Sequence, residues 1–213
     1  ECGKNFFART GIAARDRGDL RVGGQAEVGF LNDVRGLIKG DLLVRREIMN
    51  CRLVVGGSVL GDAAAVIGGE LSVGSALKVA RLGTDSGTRT VISIGGAPLL
   101  AIQIKQHRRQ REMLEARLEH ARGQYDTLRA GGAGLNDEEK ERLAALKGEI
   151  HAAEGEIADI ESKIREAEIT IERLAKGGDS EILVSKMILP QVQMRIAGKD
   201  ALFEKELTSP ARI

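Results

Sequence analysis

The chain has 213 residues, with 32 basic and 31 acidic side chains for a net charge of +1; 42% of residues are hydrophobic and 30% charged. That balance excludes a disordered tail, and without a basic surplus the chain does not read as a nucleic-acid binder, whose phosphate affinity needs excess Lys and Arg. Aromatic residues make up only 2% and glycines number 27, which points to shallow stacked layers of small aliphatic side chains, or to long helices with narrow seams.

No run of about 18 apolar residues occurs, so no transmembrane segment is expected. The start, Glu1-Cys2-Gly3-Lys4, has no Met and no charged-then-apolar leader. It reads as a fragment of a longer protein rather than as a signal peptide. Cys2 and Cys51 are far apart and outside any metal-ligand spacing, which fits free thiols in a reducing compartment.

Residues 1–97 hold most of the glycine and read as β-helix rungs. Gly18-Asp19-Leu20-Arg21-Val22 aligns with Gly40-Asp41-Leu42-Leu43-Val44 and with Gly68-Gly69-Glu70-Leu71-Ser72-Val73, starts that lie 22 and 28 residues apart. Each is a tight turn before a short apolar strand, and each is followed by a second strand: Ala26 to Val28, Ile48 to Leu53, and Ala76 to Val79. The longer gap holds Gly56-Gly57-Ser58-Val59-Leu60-Gly61, read as an insertion or an extra corner. Short strands with glycine corners at about 20-residue spacing mark a solenoid. One rung cannot bury its inward face alone, whereas stacking at about 4.8 Å buries it between neighbours. Glycine supplies the corner angles that other residues resist.

Residues 98–177 read as an antiparallel coiled-coil hairpin. From Leu100 the seam runs through Ile104, His107, Arg111, Leu114, Leu118, Ala121, Tyr125 and Leu128. In the second arm it runs through Leu143, Leu146, Ile150, Ala153, Ile157, Ile160, Ile164, Ala167, Ile171 and Leu174. The steps alternate 3 and 4, a heptad pattern. Pro98 suits a first helical turn. Ala130-Gly131-Gly132-Ala133-Gly134 stops the first helix, Asn136 with Glu139 forms a capping box for the second, and Gly177-Gly178 closes it. A loop this short forces the helices antiparallel, and pairing residues whose numbers add to 271 sets a against d in every layer. At about 1.5 Å per residue each arm should be about 45–55 Å long.

Two layers break the seam: Arg111 against Ile160 and His107 against Ile164. Both side chains can leave their stems in the seam, which reads as a local register device. The basic run Lys105, Arg108, Arg109 and Arg111 lies opposite Glu161, Glu166, Glu168 and Glu172, which makes it a neutralised, solvated face. The three histidines, His107, His120 and His151, have no partner at metal spacing on the same helix face. No nucleophile elbow, phosphate-binding loop or dinucleotide fingerprint occurs. Asp19 and Asp41 recur in one phase and read as corner caps rather than as a catalytic pair. Val54 to Ile67 is loosely like a hexapeptide acyltransferase, also a β-helix, but those enzymes use a histidine base and this solenoid segment carries none. The residues therefore give no catalytic, cofactor-binding or metal site.

The order of these segments is familiar. Gly-Asp-started rungs are followed by Gly68-Gly69-Glu70-Leu71, then Leu82-Gly83-Thr84-Asp85 with Thr88 to Thr90, then Ile92-Ser93-Ile94-Gly95 and Pro98, leading into a helical hairpin. This resembles the flagellar assembly protein A family from about residue 18 onward. Gly29-Phe30-Leu31-Asn32-Asp33-Val34 and Ile48-Met49-Asn50-Cys51 look like two further rungs, and Glu181 to Val184, Leu189-Pro190 and Val192 resemble the family's final strands. There the family usually carries Pro-Gly, whereas this chain has Pro190-Gln191, a departure that bears on that corner's conformation and not on the fold.

The resemblance implies a mainly β plus α chain: a right-handed parallel β-helix with the hairpin inserted before the last strands, residues 178–213 returning to complete the solenoid. It also implies a bacterial cytoplasmic protein linked to flagellar placement, the cell envelope or polar regulation, and carries over no catalytic residue. The expected function is a non-enzymatic scaffold whose arm meets protein partners, including further copies of the chain as a homo-oligomer. The alternatives are a bactofilin-like polymer-forming element, and a ligand-binding regulator with its site at the hairpin base near His107 and Arg111.

Overall fold

A computed structural model describes residues 1–177, 180–196, 199–208 and 211–212. The chain forms two compact units: Glu1–Ala101 together with Ile171–Ile213, and Ile102–Thr170.

The first unit is a β-solenoid. Seven strands precede the helices: β1 (Phe6–Ala8), β2 (Ile12–Val22), β3 (Ala26–Ile38), β4 (Leu42–Val55), β5 (Val59–Val73), β6 (Ala76–Leu82) and β7 (Thr90–Ile94). Five follow: β8 (Glu181–Ile188), β9 (Val192–Ile196), β10 (Lys199–Phe203), β11 (Leu207–Thr208) and β12 (Ala211–Arg212). The long strands bend around three faces, with register shifts at the bends, as between Val28 and Phe30. On the first face Phe6, Ala26, Leu42, Val59, Leu77 and Ile182 are successive parallel partners. On the second the column is Ile12, Leu31, Ile48, Val66, Leu82 and Ile188. On the third it is Leu20, Gly36, Leu53, Leu71, Ile92 and Met194.

These columns are the core. Leu42 and Val44 are buried while Leu43 between them is exposed, the alternation a pleated strand imposes. Each buried Leu, Ile or Val contributes about 1.5–3 kcal/mol. The rings that touch the core, Phe6 and Phe203, belong to the first coil and to β10 respectively, so neither has to fit between coils.

The repeat is shorter than the glycine motifs suggest. Ala26, Leu42, Val59 and Leu77 advance by 16, 17 and 18 residues. Gly18, Gly40 and Gly68 occupy three different places: Gly18 pairs with Val34 inside a face, Gly40 sits at the corner before the first face, and Gly68 turns the second face into the third at φ 66°. Gly56-Gly57 is therefore a regular corner and not an insertion. Its amide ladder runs from Gly40 to Gly24 at 2.9 Å, Gly57 to Gly40 at 3.1 Å and Gly74 to Gly57 at 3.1 Å. The corners stack so closely that a Cβ on Gly40 would lie 2.9 Å from the Gly24 carbonyl oxygen.

The second-to-third corner takes left-handed backbone in several coils. Asp33 (φ 55°), Asn50 (φ 51°) and Gly68 supply it, and so does Gln191 (φ 64°) in the Pro190-Gln191 corner. The conformation a Pro-Gly corner would take is kept with glutamine in place of glycine. Asp33 and Asn50 fall in the stretches that resembled family rungs, and those stretches stack directly, Leu31 on Ile48 and Asn32 on Met49.

After the helices the ladder continues unbroken, β8 parallel to β6 and β9 parallel to β7. The insertion thus replaces one corner, and a Cβ on Gly95 would lie 2.8 Å from Ser180 Oγ. The returning segment does not stay parallel throughout. β10 pairs with β9, and β11 and β12 with β8, all antiparallel.

In the helical part, α1 spans Pro98–Ala130 and α2 spans Asp137–Gly177, with a 3₁₀ turn at Gly132–Gly134 between them. The capping box is reciprocal: Glu139 N–H donates to Asn136 Oδ1 at 2.9 Å and Asn136 N–H to Glu139 Oε2 at 2.8 Å. Gly177 is the last residue of α2, while Gly178 lies outside the described residues. Seam positions from Ile104 to Leu128 and from Leu143 to Ile171 are buried or half-buried; Leu174 is exposed. Leu118 and Ala153, one of the layers that adds to 271, are both buried. Ion pairs across the helices, Arg108–Glu168, Arg111–Glu161, Arg117–Glu149 and Arg122–Glu154, add to between 266 and 276 and bracket that register.

Candidate interaction surfaces

The seam-breaking residues sit on the inner face of α1. His107 is half-buried, with Nδ1 3.2 Å from Gln110 Oε1. Arg111 is half-buried; its guanidinium lies 3.2 Å from Glu115, out of line for a hydrogen bond at Nε, and 3.8 Å from Glu161 across the helices. Each residue keeps its stem in the seam and its polar end beside a partner, as a long amphipathic side chain does. In the basic run, Arg108 donates to Glu168 at 2.7 Å. His120 Nε2 lies 2.9 Å from Gln124 Nε2, and His151 is exposed. Among the described residues no three His, Cys, Asp or Glu side chains converge as a metal site would require.

In the solenoid, Asp41 and Asp19 part company. Asp41 Oδ1 accepts the Ser58 N–H at 2.7 Å from the next coil's corner, a true cap. Asp19 lies within the third face, paired with Arg35. The residue that repeats the role of Asp41 is Asn5, whose Oδ1 accepts the Gln25 N–H at 3.0 Å. Both thiols are free. Cys51 is buried, and burial pushes its thiol above the ordinary range against the Val34 N–H, 3.5 Å from Sγ; Sγ itself donates to the Met49 carbonyl at 3.1 Å.

The hairpin carries two concavities. A groove of about 940 Å³ is lined by Glu119, His120, Gly123, Leu128, Glu138 and Arg142. A second, of about 520 Å³, is lined by Met113, Arg117, Asp159 and Lys163, with Met113 75% exposed. Both mix charge of either sign with apolar lining residues. The heptad reading passed over them because it ranks only inward positions; Met113, an apolar residue off the seam, was the available signal.

No helix among the described residues is long and apolar enough to cross a membrane. Neither the curated proteins nor the solved structures contain a significant match to the chain. A family model does match, the Flagellar Assembly Protein A beta solenoid domain, over residues 1–213. With coils, corners and inserted hairpin in the order its residues led us to expect, the chain belongs to the flagellar assembly protein A family.

Proposed function

We propose that this chain is a non-enzymatic scaffold in bacterial flagellar assembly, working in the cytoplasm. Residues 1–97 and 178–213 act as a platform, and residues 98–177 act as a coiled-coil arm that engages protein partners. One observation carries this reading: the helices are inserted at a single corner while the parallel ladders β6–β8 and β7–β9 run on across the gap. The other corners of that column need only a few residues, so the solenoid does not require the insertion to close. A long hairpin that its host fold does not need is there for what it touches.

The ligand-regulator alternative draws less support, since Arg111 and His107 already have neighbours within the hairpin. The polymer alternative needs two open ends, and β10–β12 lie along the outer edge of the last coil.

The test replaces residues 99–176 with a short loop between the neighbouring corners at Gly95 and Ser180. The expected result is a folded solenoid that loses its native partners in an affinity pull-down. A hairpin-less variant that still retained every partner would move the function to the solenoid and overturn the proposal.

A further inference from the structure

The first face of the solenoid carries one outward column. Phe7, Glu27, Leu43, Leu60, Lys78 and Leu183 are successive parallel partners on its outside, one per coil. Each stands between two inward neighbours, as Leu43 does between buried Leu42 and Val44. Among the described residues of β1 to β9, the exposed large hydrophobic side chains are Phe7, at 54%, and Leu43, at 38%, and both belong to this column. A concavity of about 350 Å³ opens at its middle, with Glu27, Leu43, Arg45, Leu60 and Asp62 in its lining.

The column is its own complement when reversed end for end. Leu43 then meets Leu60, Glu27 meets Lys78, and Phe7 meets Leu183. A second copy laid face to face produces this pairing if the two-fold axis runs along the strands, between the coils of Leu43 and Leu60. Arg45 and Asp62 lie two places beyond Leu43 and Leu60, and both are exposed. The same axis sets Arg45 against Asp62 of the second copy. The other two-fold arrangement, with its axis along the solenoid, sets Glu27 on Glu27 and Lys78 on Lys78, and like charges in contact are strongly unfavourable.

Within one chain these charges keep room for a further partner. Glu27 pairs with Arg45, and Lys78 Nζ lies 3.9 Å from Glu181, a loose contact that leaves the Lys78 side chain 42% exposed. Six levels about 4.8 Å apart give a strip about 24 Å long, and two sheets packed face to face at about 10 Å bury the side chains between them. We infer that the outer column of the first face is a self-association surface, through which two copies of this solenoid pair about a two-fold axis. An isologous contact of this kind closes at two copies. It goes beyond the arm's partners proposed above and does not depend on them.

The test follows the mass of the chain of residues 1–213 by sedimentation equilibrium across a hundredfold concentration range. The expected result is a single chain at the dilute end and a dimer at the concentrated end. Glu27→Lys alone and Lys78→Glu alone each set like charges face to face, and each should raise the dissociation constant about tenfold or more. The two variants mixed in equal amounts should pair with each other, because every charge in the mixed dimer again meets its opposite. Both substitutions in one chain should restore self-association for the same reason. Leu43→Ser with Leu60→Ser removes the apolar centre and leaves every charge, and it should also keep the chain single. Circular dichroism verifies each fold, and the serine pair, at outward positions outside the core, decides where a reversal does not fold. A 213-residue chain that keeps the single mass throughout overturns the inference. So does a dimer that neither the reversals nor the serine pair weakens, and so does a failure of the two folded reversal variants to pair when mixed.

Discussion

The backbone N–H of Gly68 donates to the hydroxyl of Thr90 at 2.9 Å, tying one coil to the next at the second-to-third corner. Thr90 is fully buried, and its hydroxyl in turn donates to the Thr88 carbonyl at 3.2 Å. Gly68 is left-handed there, with Asn50 and Thr88 closing the space around it.

Replacing Thr90 by Val keeps the volume but leaves the Gly68 donor without its acceptor. The expected cost is about 1–3 kcal/mol, the price of an unsatisfied buried group. Thr90→Ser should recover much of it. Equilibrium urea unfolding decides: equal stabilities for Val and Ser would mean that the hydroxyl contributes nothing.

Gln191→Gly should act in the opposite direction. The corner holds Gln191 at φ 64°, a conformation disfavoured by about 1–2 kcal/mol for a residue with a Cβ. Glycine relieves that strain but enlarges the freedom of the unfolded chain, so the net gain is about 1 kcal/mol or less. The melting temperature should rise by about 2–4 °C. A fall would show that the side chain makes a contact worth more than the strain.

How much of this could be read beforehand differs between the two parts. The hairpin was legible because its signal is redundant: a 3.5-residue period sustained over two arms, with the antiparallel register checkable at each layer and matched by the ion pairs. The solenoid was legible as a type but not in phase. Gly36 stands in the inward column between Leu20 and Leu53, and Leu53 Cδ2 lies 2.7 Å from where a Gly36 Cβ would be. There Leu53 of the next coil fills the gap, so this one coil lacks the full apolar pattern that its neighbours carry. The true clock is the stacked corner at Gly24, Gly40, Gly57 and Gly74, which competes with glycines that serve other corners. The antiparallel turn of β10–β12 had no signal in composition at all.

His107→Leu with Arg111→Leu should stabilise the hairpin by about 1–2 kcal/mol in total, since two half-buried polar residues would be replaced by seam aliphatics. Loss of the Arg111–Glu161 pair, partly exposed, subtracts little. Thermal melting followed by helical circular dichroism measures the change. A lower melting temperature would indicate that these residues hold the register rather than soften it.

The two thiols should separate cleanly. Cys51 is buried and its raised pKa keeps it protonated at neutral pH, whereas Cys2 is half-buried near the first coil. Titration with a thiol-reactive disulfide should label Cys2 in the native protein and Cys51 only on unfolding. Two fast thiols would show that the second-to-third corner opens readily.

The Arg195–Asp200 pair gives β10 a pH dependence. The hydrogen bond from Arg195 holds the Asp200 carboxyl below the usual carboxylate range. A depressed pKa contributes stability above the unfolded value, about 3.9, and loses it as pH falls through the lowered folded value. Amide resonances of residues 199–203 should therefore shift toward unpaired values in strong acid before those of the coils do. Asp200→Asn should remove that early step, and a step that survived the substitution would have another origin.

The insertion at one corner has a consequence for descent as well as for design. Because no ladder bond in the coils depends on the helices, heptads can be gained or lost in matched pairs without disturbing a single rung. Reach and specificity are then free to drift under selection while the host stack stays fixed.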